Sequence, residues 1–226
     1  MEVFPGVHWL EAGYANVYLC PAENGLALVD TGRPGKAQQI LDFIRHIGRD
    51  PAALNFILIT HADWDHAGSA AAVQEATGAT VYCSEATAAF LKEGKSPKHL
   101  MQPLQFLADR FFNYRPVPAT AIRDLQAEAS LPVLGELFIK PTPGHTPDHH
   151  SFYSPSSGVL FAGDALRTRG SKPRLPGNFL NHDTAAARAS ARQLLALAPA
   201  LFACGHGPPI AEHTMEDVMK LLHSLK

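Results

Sequence analysis

Cysteine and long apolar runs are both scarce in this sequence of 226 residues. The three cysteines lie far apart and cannot all pair within one chain, so we expect buried, reduced thiols rather than a disulfide framework. They are Cys20, Cys83 and Cys204. The longest apolar stretch, residues 194–204, contains Pro199 and is about half the length of a membrane-spanning helix, which argues against a membrane protein.

Charge of either sign is also limited. Only 18% of the residues are charged, the formal net charge is −2 and the sequence pI is about 6.6. These values argue against a protein whose whole surface binds nucleic acid. Near the start, Glu2 stands where an export signal would be positive, and Pro5 interrupts any apolar run. We therefore expect a cytoplasmic protein with no nucleic-acid or membrane partner.

Hydrophobic periodicity predicts strands near both ends of the chain, with helices between and after them. The predicted strands cover residues 7–12, 16–20, 26–30, 56–60, 80–83, 120–139, 151–153, 159–162 and 201–204. The predicted helices cover residues 34–47, 68–77, 183–197 and 214–225, and a Phe- and Leu-rich helical segment covers 85–118. This order favours an α/β sandwich of two packed sheets covered by helices. A doubly wound nucleotide-binding fold is the alternative, but no Gly-x-Gly-x-x-Gly follows the first strand.

Histidine is unusually abundant, with 12 residues, and the densest group follows the strand predicted to end at residue 60. His61, Asp63, Asp65 and His66 lie within six positions there. Imidazole and carboxylate at this density are typical of a divalent metal site, and a cation offsets the repulsion between the two neighbouring carboxylates. The alternative interpretation is a polar loop in which an aspartate caps the following helix.

Three further strand ends carry a metal-ligating residue beside a glycine. These pairs are Gly144-His145, Gly163-Asp164 and Gly205-His206. Glycine lets the backbone turn sharply and approach another group closely. A single histidine at a strand end is more often structural, but three such ends together with the first loop indicate one shared site.

These motifs, in this order, resemble the metallo-β-lactamase superfamily of metal-dependent hydrolases. The matching segments are Val29-Asp30-Thr31-Gly32, Thr60-His61 through Gly68, Gly144-His145-Thr146-Pro147, Gly163-Asp164 and Gly205-His206-Gly207. The resemblance implies a single αββα domain over residues 1–226, with two mixed sheets flanked by helices and a metal site in the cleft between the sheets. It also implies that the 85–118 segment is a helical insertion.

The resemblance further implies a ligand set for two divalent metal ions. His61 and His145 would bind the first ion, Asp65, His66 and His206 the second, and Asp164 both. Asp30 would support a ligand histidine from beneath. Apart from the resemblance, His149 lies just past His145 and is a candidate for a supporting position behind the ligands; the alternative is that it points to solvent or into the core. Asp63 stands where the family usually has histidine. Zn²⁺ is the expected metal, and the extra carboxylate keeps Fe or Mn open.

The implied activity is hydrolysis of a small ester, thioester or lactone by a metal-bridging hydroxide, with Asp65 able to steer or accept a proton. A non-haem iron oxidoreductase of the same fold, either persulfide dioxygenase-like or di-iron, is the alternative enzyme. A metal-bound sensor without turnover is the alternative outside enzymes.

A basic segment follows Asp164 and points to the substrate. Four cations and no acid lie between Asp164 and Asp183, and the prolines there predict a loop: the cations are Arg167, Arg169, Lys172 and Arg174. We expect an anionic small molecule held by Arg167 and Arg174, with His182 as a further candidate contact. The alternative is a solvated surface loop. The sequence leaves open whether the chain forms a homo-oligomer.

Overall fold

The structure, a computed structural model, describes residues 1–98, 112–125, 130–213 and 215–225. Its strands are β1 (Glu2–Phe4), β2 (Val7–Glu11), β3 (Asn16–Ala22), β4 (Gly25–Val29), β5 (Leu54–Leu58), β6 (Thr80–Cys83), β7 (Ile122–Asp124), β8 (Ser130–Leu131), β9 (Leu137–Pro141), β10 (His150–Ser154), β11 (Val159–Gly163), β12 (Arg167–Arg169), β13 (Lys172–Arg174) and β14 (Leu201–Cys204). Its helices are α1 (Ala37–His46), α2 (Trp64–Ala67), α3 (Ala70–Thr77), α4 (Glu85–Glu93), α5 (Thr184–Ala196) and α6 (Met215–Ser224). None of these helices combines the length and apolar character that a bilayer crossing requires.

The strands form two large mixed sheets and one hairpin. Sheet one has the order β1-β2-β3-β4-β5-β6-β7, antiparallel up to β4 and parallel from β4 to β7. Sheet two has the order β14-β11-β10-β9-β8, in which only β11 and β14 run parallel. β12 and β13 pair antiparallel as the hairpin.

Three apolar clusters define the layers. The middle cluster joins the inner faces of the two sheets, with Val29 and Leu58 from sheet one packing with Phe152 and Phe161 from sheet two. A second cluster packs the outer face of sheet one against α1, α3 and α4, and a third packs the outer face of sheet two against α5 and α6. The order is therefore helices, sheet, sheet, helices. This confirms the predicted αββα sandwich.

The helix ends follow local sequence. Gly78, left-handed at φ 74°, ends α3, as glycine at this position commonly does. The side chain of Asp183 accepts hydrogen bonds from the backbone N–H groups of Ala185 and Ala186 at the start of α5, as an N-cap does. Both boundaries were predicted from the sequence.

The three cysteines are free and buried, as the sequence predicts, and burial raises the pKa of their thiols.

The structure differs from the sequence prediction in two segments. The segment after Asp164, predicted as a loop, forms the hairpin β12–β13, because the buried Thr168 anchors it on the chain around His206 and Pro208. Within the predicted insertion at 85–118, helix α4 ends at Gly94 and residues 112–118 are not helical. Residues 99–111 lie outside the described part of the chain, so that part of the insertion stays a prediction.

Candidate metal centre

The first side of the site is built where the parallel strands β4 and β5 end at the same edge of sheet one. Asp30 follows β4 with a left-handed φ of 57°. Its buried carboxylate accepts hydrogen bonds from the backbone N–H and the hydroxyl of Thr60, which follows β5. Because the single hydroxyl proton of Thr60 is donated to Asp30, its oxygen accepts from Nδ1 of His61 at 2.9 Å. Nε2 of His61 is left with the lone pair that a metal requires.

The second side comes from the ends of β9, β11 and β14 in sheet two. β11 and β14 are parallel neighbours, so Asp164 and His206, which follow them, emerge at the same edge. A Cβ at Gly205 would collide with the Asp164 carboxylate and the ring of His66. The glycine that the sequence places beside His206 is therefore required by the close approach of the two sheets' loops.

The six residues form two adjoining clusters. The first cluster is His61, His145 and Asp164, and the second cluster is Asp65, His66 and His206; within each, the candidate ligand atoms lie within 4.8 Å of one another. Every one of these residues was predicted as a ligand from the sequence, and the structure brings them together. Each cluster draws residues from both sheets.

Asp164 lies between the two clusters. Its Oδ2 is 3.5 Å from Nε2 of His145 in the first cluster and 3.2 Å from Nε2 of His206 in the second. Its Oδ1 is 3.4 Å from Nε2 of His66. One carboxylate thus reaches histidines of both clusters.

Asp63 faces the first cluster rather than the helix it precedes. It occupies the N-cap position of α2, but its side chain makes no capping hydrogen bond. Instead its Oδ2 lies 3.4 Å from Nε2 of His61 and 3.3 Å from Nε2 of His145. The capping interpretation of this aspartate is therefore wrong.

The second-cluster histidines are oriented by acceptors behind them. Nδ1 of His66 donates to Oδ2 of Asp30 at 2.8 Å, and Nδ1 of His206 donates to the backbone carbonyl of Tyr14 at 2.8 Å. Each bond fixes the tautomer and leaves Nε2 directed at the cluster. The structure therefore places Asp30 where the sequence predicts a supporting residue.

The imidazole and carboxylate groups of the two clusters shift one another's pKa values. Burial alone would lower the pKa of His66, but the carboxylates of Asp164 and Asp30 raise it well above its usual value. The Asp164 carboxylate also raises the pKa of His206 to about 9. In turn, although burial opposes it, the two histidines hold the pKa of Asp164 well below its usual range. A metal cation would therefore compete with protons for these imidazole nitrogens.

Both ring nitrogens of His149 have hydrogen-bond partners. Its Nδ1 lies 2.8 Å from the hydroxyl of Thr142, and its Nε2 accepts the backbone N–H of Asp164 at 2.9 Å. Burial, and then the neighbouring His61 and His145, lower its pKa well below the usual value, so the ring is neutral. His149 therefore positions Asp164 from behind, which fits its predicted supporting role.

The donor set fits divalent metal ions. Within the described ranges, Nε2 of His61, Nε2 of His66 and Oδ1 of Asp164 are buried and make no hydrogen bond. Buried polar atoms without partners are costly, and a cation held between nitrogen and oxygen donors removes that cost. Mixed imidazole and carboxylate donors suit Zn²⁺ and are also compatible with Fe or Mn.

Two buried residues that fix the first loop were not singled out in the sequence. Oδ2 of Asp148 accepts the backbone N–H of Ala62 at 3.1 Å and the hydroxyl of Thr87, on α4, at 2.8 Å. The hydroxyl of Tyr114 donates to the carbonyl of Ala62 at 2.9 Å. Asp148 directly follows the Gly144-His145-Thr146-Pro147 motif, and this adjacency could have marked it in the sequence as a residue of the site. Nothing in the sequence marks Tyr114, because only the fold brings it to the loop.

Sheet one also holds the loop that carries His206. The side-chain amide of Asn16 donates to the carbonyls of Cys204 and Gly207 at 2.9 and 2.6 Å, and the hydroxyl of Tyr18 donates to the first of these at 2.8 Å. These contacts cross from β3 to the end of β14. The sequence could not show these contacts, because the residues that make them are 186 to 191 positions apart.

A cavity of about 1010 Å³ opens over the two clusters; we call it the main cavity. The candidate ligands Asp63, Asp65, His145, Asp164 and His206 line one part of it. Apolar side chains form much of the rest, among them Trp64, Phe90, Phe112 and Leu180. Cations at its edge include Lys95, Lys98 and Arg167, and Lys95 is paired with Glu93 at 3.0 Å.

The residues predicted to contact substrate are distributed unevenly. Arg167 lines the main cavity, whereas Arg174, its partner in register across the hairpin, is not among the lining residues. His182 is exposed, and its backbone N–H donates to the carbonyl of His145 at 2.9 Å. Lys172 pairs with Asp217 of α6 at 2.8 Å. Of the basic segment, Arg167 is therefore the residue best placed to meet a substrate.

An αββα sandwich with His and Asp clusters at one edge defines a metal-dependent class of hydrolases. The family model of the metallo-beta-lactamase superfamily matches residues 10–206. The chain therefore belongs to this superfamily, as the sequence motifs predict.

Individual relatives agree with this assignment. The chain is 27% identical to the probable metallo-hydrolase YflN of Bacillus subtilis (strain 168), with 99% of this chain and 92% of that protein covered. It is 30% identical to hydroxyacylglutathione hydrolase GloC of Haemophilus influenzae, over 64% of this chain and 62% of that protein. A solved B3 metallo-β-lactamase with an active-site glutamic acid matches with a TM-score of 0.73 at 26% identity, over 99% of this chain and 88% of the other.

Proposed function

We propose that this protein is a dinuclear metallo-hydrolase that cleaves a small ester, thioester or lactone. The observation that carries the proposal is the position of Asp164, whose carboxylate oxygens lie 3.2–3.5 Å from histidines of both clusters. A carboxylate in this position would be able to ligate two metal ions at once.

The residues would divide between two ions as the family resemblance implies: His61 and His145 would hold the first, Asp65, His66 and His206 the second, and Asp164 both. Asp63, whose Oδ2 lies 3.4 Å from Nε2 of His61 and 3.3 Å from Nε2 of His145, would add a ligand to the first ion. Bound divalent ions supply Lewis-acid chemistry, since they lower the pKa of water and polarise a carbonyl. Zn²⁺ suits these donors, and the carboxylate of Asp63 keeps Fe and Mn as alternatives.

The protein side chains would position the substrate and move its protons. Asp65 lines the main cavity beside the second cluster and would steer the attacking water or accept its proton. Trp64, Phe90 and Leu180 would pack on the apolar part of the substrate and exclude bulk water.

Two observations favour an anionic acyl compound as substrate. Arg167 lines the main cavity, and its positive charge would attract a carboxylate. Relatives named hydroxyacylglutathione hydrolases favour the thioester among the three bond types. We infer that the chain binds a small acyl ester or thioester with at least one negative charge.

Metal content measured together with a hydrolase screen tests the proposal. We expect about two ions per chain in protein purified with metal in excess, and turnover of an ester, thioester or lactone that a chelator removes and metal restores. The variant His206→Ala should lose metal and activity, whereas the control His46→Ala, at the exposed end of α1, should keep both. Fresh, active protein without bound transition metal would contradict the proposal.

A non-haem iron oxidoreductase is the second candidate, and Asp63 favours it. The carboxylate beside His61 and His145 adds a hard oxygen donor to the first cluster. Three results together would establish this alternative: iron co-purifies with the protein, the protein takes up oxygen when given a thiol persulfide, and it hydrolyses no ester, thioester or lactone. Metal binding without either activity would favour a sensor.

A further inference from the structure

A second, smaller cavity adjoins the main cavity; we call it the side cavity. Its volume is about 570 Å³. It is lined by Tyr14, Arg33, Pro34, Trp64, Phe112 and Asn113. The last three of these also line the main cavity. The rings of Trp64 and Phe112 stack with centroids 4.6 Å apart at 11°, so the two cavities share an aromatic wall.

Arg33 is the cation of the side cavity. Its backbone is fixed on both sides, because its N–H donates to the carbonyl of Ala12 at 3.2 Å and its carbonyl accepts the hydroxyl of Ser69 at 2.6 Å. Its guanidinium carbon lies 5.8 Å from the centre of the Tyr14 ring, a cation–π distance. The side chain crosses Gly13, where a Cβ would come within 2.6 Å of Nε. The guanidinium is thus held without a carboxylate.

Among the residues that the structure describes, no acidic side chain lines the side cavity and none forms an ion pair with Arg33. An arginine fork with free N–H donors beside aromatic faces recognises carboxylate and other planar or tetrahedral oxyanions. The side cavity therefore has the chemistry of an anion site.

The side cavity is attached directly to the candidate metal centre. Trp64 lies between Asp63 and Asp65 in the chain. The carbonyl of Tyr14 accepts the hydrogen bond that orients His206, and Tyr14 adopts an unusual left-handed φ of 64° to present it. A molecule in the side cavity would therefore lie next to the residues proposed to carry out hydrolysis.

We propose that the side cavity is a substrate subsite in which Arg33 binds an anionic group, a carboxylate in the first instance, while Trp64 and Phe112 pack on an apolar arm. The arm would join this group to the ester or thioester at the metal centre. The inference rests on the proposed hydrolase function. It adds Arg33 as a specificity residue that is separate from the basic hairpin β12–β13.

The kinetic test uses p-nitrophenyl monoesters of dicarboxylic acids with four to eight carbons, each paired with its methyl-capped neutral analogue. For the preferred length, Arg33→Gln should lower the ratio of kcat/KM for the acid to that for the capped ester by about tenfold, since one charge-assisted contact is lost. Arg33→Lys should lower this ratio less than Arg33→Gln does, because lysine keeps the positive charge but lacks the forked N–H donors of arginine. The control Arg49→Gln, an exposed arginine outside both cavities, should leave the ratio unchanged.

A binding measurement separates this subsite from the hydrolase proposal. Calorimetric titration of the zinc-loaded protein with the free dicarboxylate and with its diamide needs no turnover. We expect the dicarboxylate to bind more tightly than the diamide, and Arg33→Gln to remove about tenfold of that affinity. If binding depends on Arg33 but no ester is cleaved, the subsite stands and the hydrolase proposal fails. If the dicarboxylate does not bind, or if Arg33→Gln changes neither measurement, the subsite proposal is overturned.

Discussion

Asp30 offers the sharpest test of how the centre is assembled, through the variant Asp30→Asn. Its carboxylate reaches His66 directly at 2.8 Å and His61 through the hydroxyl of Thr60. One residue therefore sets the tautomers of a histidine in each cluster. Asparagine tolerates the left-handed backbone at this position, so the variant changes the hydrogen bonding without adding backbone strain.

The expected effect follows from the number of donors that Asp30 accepts. An asparagine side chain has one oxygen and one NH₂ group, so it cannot accept from the Thr60 backbone, the Thr60 hydroxyl and the His66 ring as the carboxylate does. Loss of such an orienting partner typically costs 10–100-fold in metal affinity. That corresponds to about 1.4–2.8 kcal/mol of binding free energy. We expect both sites to weaken.

The assay is competition for Zn²⁺ against a chromophoric chelator, with urea unfolding of the metal-free protein measured alongside. The matched control is Asp42→Asn, which removes an exposed carboxylate paired with Arg45 at 2.8 Å. It should change neither metal affinity nor, beyond about 0.5 kcal/mol, the free energy of unfolding. A folded Asp30→Asn protein that binds two zinc ions with wild-type affinity would refute the reasoning.

Three further predictions concern the ions themselves. Asp164→Ala should abolish turnover and weaken binding of both ions, and elemental analysis that still finds two tightly held ions would contradict this. Zinc binding near pH 7.5 should release protons, because neighbouring carboxylates raise the pKa of His66 well above its usual value and that of His206 to about 9. A protonated ring must lose its proton to coordinate, so affinity should rise with pH, and the contribution of His206 should level off above its pKa of about 9. Calorimetry in buffers of different ionisation enthalpy counts the protons, and a count of zero would be evidence against protonated rings. Zinc at 100 times its Kd should raise the free energy of unfolding by about 2.7 kcal/mol, and a Tm that does not respond to zinc would show that folding and metal binding are not linked.

The candidate ligands could be predicted because they are local in the sequence. Each follows a short apolar strand, and parallel neighbours bring such residues to one edge of a sheet. The four residues of the first loop and the three Gly-linked residues were therefore visible before the fold was known. The layer order also followed from apolar runs of strand and helix length, as the two outer clusters and the middle cluster show.

The parts that sequence could not supply depend on contacts between distant segments. Tyr114 and Asn16 hold the ligand loops through hydrogen bonds that span 52 and about 190 positions. The hairpin at 167–174 was predicted as a loop from its prolines, yet Pro173 is buried and Thr168 ties the hairpin to the His206 loop. Arg33 drew no attention, because only the folded chain places it beside Tyr14 and Trp64.

The division between ligands and cavity walls has a consequence for how this lineage can diverge. The candidate ligands sit at strand ends that the core holds rigidly, whereas much of the wall comes from α4 and from residues 95–98, 112–113 and 180. A change at Phe90 or Leu180 reshapes the space offered to a molecule and leaves the ligand positions untouched. Under the proposed function, substrate preference could therefore change by substitutions in the cavity wall while the candidate ligands stay in place.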